Sequence, residues 1–256
     1  MTEVLTLNIV VFLFSLLTIL WQQSNLKLDK TQKVSKRLNP IFLLLFLVSW
    51  LLILVYLLIN ADDEFRRIFL TYNLSILLIA NTLWITAKRD LDIKILALFL
   101  TACFLLLKIT VKNQFVDNIF IIMSTVWVGP FLVKINLLNK KRFIIVSLLW
   151  LLYDIYFIWL SPTFKNLLSQ THAVNLTLGI VIGKYLIGAG DLLYLNMLMS
   201  VMKDNKARIL SSLVLIIIST TLFFIAINTR TVLAFPLLVL WVPVGTLLLF
   251  VFRKTF

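Results

Sequence analysis

Of the eleven carboxylates in the 256 residues, two lie inside apolar stretches: Asp154 in LLYDIYFIWL and Asp191 in YLIGAGDLLYL. An acid at membrane depth is costly to bury, so its presence points to a working group. Two such acids facing one hydrated cavity can share a proton, because like charges at short range do not both ionise. The ionised member takes a proton from water while the neutral member donates to a carbonyl oxygen, which is what hydrolysis of a peptide bond requires. The pair titrates as a unit, so neither role is assigned to one residue. The plain alternative is that each acid is neutralised by an intramembrane base or by backbone groups. Lys184 is the nearest base to Asp191 in sequence, but in a continuous helix it stands about 10 Å away along the axis.

The elements that must carry these acids are apolar. Hydrophobic residues make up 61% of the chain and charged residues 14%, in long uninterrupted runs rather than in the mix of a soluble domain. Spans of about 20 mainly apolar residues cross a bilayer, and the runs predict an all-α polytopic membrane protein with nine transmembrane helices. They fall at 4–21, 41–59, 68–87, 95–111, 119–138, 143–160, 175–202, 209–227 and 232–252. The seventh is too long for one ordinary crossing, so its beginning is expected to be tilted, broken or re-entrant, with the regular helix starting near Gly183. Residues 1–256 read as one membrane domain, a five-helix scaffold portion over 1–142 and a four-helix catalytic portion over 143–256. No basic segment precedes the first run, so it is expected to stay as a span rather than be removed.

Charge sets the orientation. The net charge of +13 comes from Lys and Arg in short connections, a pattern that fixes topology rather than one that binds nucleic acid. Connections after the odd-numbered spans hold sixteen of the 24 basic residues and the opposite side holds five: Arg66, Arg67, Lys112, Lys165 and Arg230. The positive-inside rule then predicts an extracytoplasmic amino terminus and a cytoplasmic carboxyl terminus. Asp154 is 11 residues from the cytoplasmic start of span six and Asp191 is 11 residues from the cytoplasmic end of span seven. Both therefore lie about 16 Å from the same face.

The remaining polar and small residues are weaker signals. Cys103 and His172 are each alone in the chain, which leaves no thiol pair, no His-rich metal site and no Ser-His-Asp triad; no cofactor and no metal are expected. Cys103 itself is expected to be a buried apolar residue. Gly188 and Gly190, just before Asp191, either let helices pack closely or let a substrate backbone approach. Pro236 and Pro243 interrupt hydrogen bonding in span nine, and freed backbone groups at that depth need protein or a watery cavity beside them. Tyr153 and Tyr185 can hydrogen-bond near the acids or simply pack. Asn196 and Lys184 are either supporting residues of the site or ordinary interhelical contacts, and Met197, Met199 and Met202 are expected to pack.

Taken together these residues resemble the intramembrane aspartyl proteases of the signal peptide peptidase and presenilin family. That family carries Tyr-Asp in span six, Gly-x-Gly-Asp in span seven and Pro-Ala-Leu near the start of span nine. Here the corresponding residues are Tyr153-Asp154, Gly188-Ala189-Gly190-Asp191 and Pro236-Leu237-Leu238. The motifs cover the carboxyl-terminal half, and Leu237 stands where the family has a small Ala. The resemblance implies that Asp154 and Asp191 are catalytic, and that Tyr153, Gly188, Gly190, Pro236, Leu237 and Leu238 shape the site or hold substrate. The short connection between spans six and seven implies one uncut chain with no obligatory activating subunit. The predicted orientation is that of the signal peptide peptidase branch, whose substrates are transmembrane helices such as remnant signal peptides or type II anchors. The membrane would be the cell membrane of a prokaryote or an endoplasmic reticulum-type membrane of a eukaryote. A helical substrate must unwind before attack, and its freed backbone can pair with a protein strand within residues 161–183.

Two rival readings use the same acids. Prepilin-type membrane aspartyl peptidases also carry Gly-x-Gly-Asp and cut at the cytoplasmic boundary. A proton- or cation-coupled transporter would use the acids to bind and release an ion.

Overall fold

Short polar side chains start several of the helices by accepting a backbone N–H that has no partner inside the helix. Asp62 Oδ1 accepts from Phe65 N (2.7 Å), Asn113 Oδ1 from Phe115 N (2.8 Å) and Asn139 Oδ1 from Arg142 N (3.0 Å). The computed structural model describes residues 2–26, 49, 56, 62–87, 89–111, 113–135, 137–155, 179–183, 185–229 and 237–252, with the backbone alone for 23–26, 63, 66–67, 153–154, 186 and 224–229. Its elements in order are α1 (Thr2–Leu26), α2 (Asp63–Thr86), α3 (Leu91–Thr110), α4 (Gln114–Thr125), α5 (Val128–Lys134), α6 (Lys140–Asp154), β1 (Gly179–Ile182), β2 (Tyr185–Gly188), α7 (Ala189–Val201), α8 (Asn205–Thr229) and α9 (Leu238–Val251).

The described residues are mostly helical. Among them five helical stretches are long and apolar enough to cross a membrane: Thr2–Gln22, Ile68–Thr86, Leu91–Thr110, Gln114–Lys134 and Asn205–Phe223. α9 is a shorter apolar helix. The span expected at 41–59 lies outside the described residues apart from positions 49 and 56.

Helix α7 is the hub. Its sequence is apolar almost all round, and Leu192 and every residue from Tyr194 to Ser200 are buried. A helix of that kind needs neighbours on each side, and α7 packs against α1, α4, α5, α6, α8 and α9. Leu7, Val11 and Phe14 of α1, Leu215 of α8 and Trp241 and Leu249 of α9 complete the buried cluster around it. Met197, Met199 and Met202 pack there as expected. α3 lies at the periphery with no buried residue, and Cys103 is exposed on it rather than buried. In a helix surrounded by lipid, an apolar sulfur has no reason to face the protein.

Two expected spans are not continuous helices. The fifth breaks at Val126–Trp127, because Pro130 has no N–H to return to the Val126 carbonyl four residues earlier. Asn196 of α7 repairs the break: its Nδ2 donates to Val126 O (2.6 Å) and its Oδ1 accepts from Gly129 N (2.5 Å). The seventh begins not as a helix near Gly183 but as an antiparallel hairpin, and the helix starts at Ala189. The all-α expectation is corrected to that extent. Gly183 turns the hairpin with φ 60°, a conformation that glycine adopts without steric cost.

Candidate active site

The hairpin pairs Gly179 with Gly188, Ile180 with Ile187, Val181 with Leu186 and Ile182 with Tyr185. Antiparallel pairs alternate between hydrogen-bonded and non-hydrogen-bonded, starting from a bonded pair at a two-residue turn. Val181 therefore turns its N–H and C=O away from β2, and Leu186 and Gly188 turn theirs away from β1. Asn118 of α4 takes up the first of these edges. Its Nδ2 donates to Val181 O (2.7 Å) and its Oδ1 accepts from Val181 N (2.9 Å). On the other edge the Gly188 N–H donates to Asp191 Oδ2 (3.1 Å).

Asp191 thus sits in the first turn of α7 with its carboxylate tied back to the strand that precedes it. Both glycines of the motif bear on this arrangement. A Cβ at Gly188 would stand 3.2 Å from Asp191 Oδ2, crowding the carboxylate. A Cβ at Gly190 would meet no described atom within 4 Å.

Helix α9 runs beside α7 in the same direction. Tyr194 Oη donates to Trp241 O (3.0 Å), and Gly245 lies against the Tyr194 hydroxyl and Leu198. Asp191 and Leu238 are each three residues before the joined pair Tyr194 and Trp241, which brings them to the same level, about 4.5 Å along the axes. Leu237 and Leu238 are both buried at this level. α6 runs the opposite way, with Lys140 Nζ donating to Leu249 O (3.1 Å) at the far end of α9 and the Phe143 ring 5.4 Å from that of Tyr194. Asp154 and Asp191 therefore lie on the same side of the Phe143–Tyr194 contact, but eleven and three residues from it, about 16 Å and 4.5 Å along the axes, so the expected equal level is not met by this contact.

The structure joins Gly188 to Asp191 and sets Leu238 at the level of Asp191 on the neighbouring helix. The side chains of Tyr153 and Asp154 and the whole of Pro236 lie outside the described residues, as does Lys184. Lys184 falls in sequence at the hairpin turn, so the expected helical spacing between it and Asp191 does not apply. Tyr185 packs its ring edge-on to Phe223 at 5.8 Å. Asn196 is an interhelical staple, donating also to Thr18 Oγ1 (2.8 Å) of α1. Among the described residues no group of three His, Cys, Asp or Glu side chains could hold a metal ion.

Three residues of this region were not anticipated. Asn118 stands out in QFVDNIFIIM only as a polar residue in an apolar run. Glu3 carries its carboxyl group against Gly183 at the hairpin turn. Asp117, next to Asn118, pairs with Lys108 at 2.5 Å with both side chains largely shielded. Comparison of the chain with protein-family models, with curated proteins and with solved structures gives no match.

Proposed function

We propose that the protein is an intramembrane aspartyl endopeptidase that uses Asp154 and Asp191 to cut transmembrane helices such as remnant signal peptides or type II anchors. The observation that supports this reading is the seating of Asp191: an acid in the first turn of a buried helix, tied to the last residue of a two-stranded hairpin and level with Leu238. A structural acid in an apolar core needs a partner but does not need the hairpin.

In this reading the nine spans, the extracytoplasmic amino terminus and the cytoplasmic carboxyl terminus hold as the charge pattern implies. A locally unwound substrate pairs its backbone along β2, where Leu186 turns its N–H and C=O outward, and so passes next to Asp191. One carboxyl group takes a proton from water as the water oxygen bonds to the scissile carbonyl carbon. The other donates its proton to the carbonyl oxygen. Collapse of the tetrahedral species breaks the C–N bond, and the departing nitrogen takes up a proton. Neither metal nor cofactor enters these steps, and the single chain is sufficient.

The test is a labelled transmembrane peptide reconstituted in liposomes with wild type, Asp154→Asn and Asp191→Asn, read by product mass and by ion flux. Cleavage within the span, lost in both variants, is the expected result. Cleavage confined to the cytoplasmic boundary would select the prepilin-type reading, and flux without cleavage would select the transporter.

A further inference from the structure

We propose that Asn118 is a positioning residue that closes the β1 edge of the hairpin in place of a third strand and so confines an extended substrate segment to the β2 edge, beside Asp191. The proposal rests on the peptidase reading and adds to it the means by which one edge is chosen. A two-stranded sheet offers two edges, each with backbone donors and acceptors able to recruit a peptide. The β2 edge is the one tied to Asp191. A peptide added at Val181 would have both β1 and β2 between it and the edge that carries Asp191, and the spacing between adjacent strands is about 4.8 Å.

Asn118 suits this role because a carboxamide carries one acceptor and one donor side by side, as a strand residue does. It meets both Val181 groups, the N–H at 2.9 Å and the C=O at 2.7 Å. Its own place is held by α4, whose first turn is anchored by the Asp117 ion pair to Lys108 and by the Asn113 cap. Glu3 of α1 lies against Gly183 at the turn, giving the hairpin a second, separate point of attachment. Asn118 therefore acts on the edge rather than on the existence of the hairpin.

The experiment uses the full chain in nanodiscs, as wild type, Asn118→Ala and Asn118→Asp, with two readouts. The first is amide hydrogen exchange at Val181, which does not depend on catalysis. Losing the acceptor in Asn118→Ala should speed exchange there about tenfold, the equivalent of one net hydrogen bond, while α7 amides stay protected. Asn118→Asp keeps an acceptor for the N–H but no donor for the C=O, and Val181 should stay slow. The second readout is photocrosslinking from a transmembrane peptide carrying one photoreactive residue. Wild type and Asn118→Asp should crosslink at Leu186 and not at Val181, whereas Asn118→Ala should gain crosslinks at Val181. Cleavage by Asn118→Ala should then fall with the cut position unchanged, because a peptide held at Val181 is out of reach of Asp191.

Unchanged Val181 exchange in Asn118→Ala, crosslinks at Val181 in wild type, or no crosslink to either strand would each overturn the proposal. Absence of cleavage in wild type, with the exchange and crosslinking results as expected, would refute the peptidase reading while leaving the edge assignment standing.

Discussion

Replacing Asn196 by Leu tests the idea that α7 holds the core together by repairing the break in the fifth span. The Asn196 side chain makes three hydrogen bonds, to Thr18 Oγ1, Val126 O and Gly129 N. Thr18 retains a partner after the change, because its hydroxyl also donates to Phe14 O at 3.0 Å. Val126 O and Gly129 N do not, and both residues are buried. A buried group left unpaired costs about 1–3 kcal/mol in soluble proteins, whereas interhelical hydrogen bonds in membranes average about 0.6 kcal/mol. Two orphaned groups therefore predict a loss of roughly 1–3 kcal/mol for Asn196→Leu. Reversible unfolding in mixed micelles, followed by the fluorescence of tryptophans such as Trp127 and Trp241, measures it. The sharper test is the cycle with Pro130→Ala, which supplies the missing N–H to Val126 O and should reduce the cost of Asn196→Leu by about 0.6 kcal/mol or more. A single-variant loss below about 0.5 kcal/mol, or strict additivity with Pro130→Ala, would refute the reasoning.

Gly190→Ala should raise stability by about 0.5–1 kcal/mol, since alanine is the better helix former and meets no described neighbour. The same change should lower cleavage of a transmembrane peptide, and equal activity would remove Gly190 from the substrate path. Gly245→Ala should cost about 1–3 kcal/mol because its methyl overlaps the Tyr194 hydroxyl; the double variant with Tyr194→Phe should recover most of that in the same unfolding assay. Lys108→Met and Asp117→Leu should each destabilise more than the two together, because either alone strands a charge that is largely shielded from solvent.

The helices were legible from long apolar runs because membrane helices carry little else. The runs around Leu74, Phe104 and Leu215 all lie in long apolar helices at the expected places. Burial was less legible, since a lipid-facing residue and a core residue are equally apolar; Cys103 and the whole of α3 show it. Pro130 lies within the fifth run and went unused in the sequence reading, and nothing local says that the partner for the carbonyl it frees is Asn196, 66 residues after Pro130. The hairpin had a signal: two four-residue apolar runs, GIVI and YLIG, flank a Gly-Lys pair, which is hairpin spacing with glycine first in the turn. That signal lost to the helical run that follows, because short apolar runs fit a strand or a helix equally well. Of the site, the order and spacing of the acidic and glycine motifs could be read, whereas the tie from Asp191 to Gly188 depends on where the helix begins.

Where that helix begins is the physical origin of the site. α7 has 13 residues, a rise of about 20 Å, against a hydrocarbon thickness of about 30 Å. The four-residue strands before it add about 13 Å, so only hairpin and helix together reach the length that the expected seventh span requires. Non-helical backbone at that depth is tolerated only when protein or a hydrated cavity satisfies it. Ile180 and Ile187 are fully buried, Asn118 takes the Val181 edge and Asp191 takes the Gly188 N–H. A helix running unbroken from residue 175 would have closed these backbone groups on itself, leaving Asp191 with no adjacent strand; in the proposed peptidase, that strand is what a locally unwound substrate would pair with.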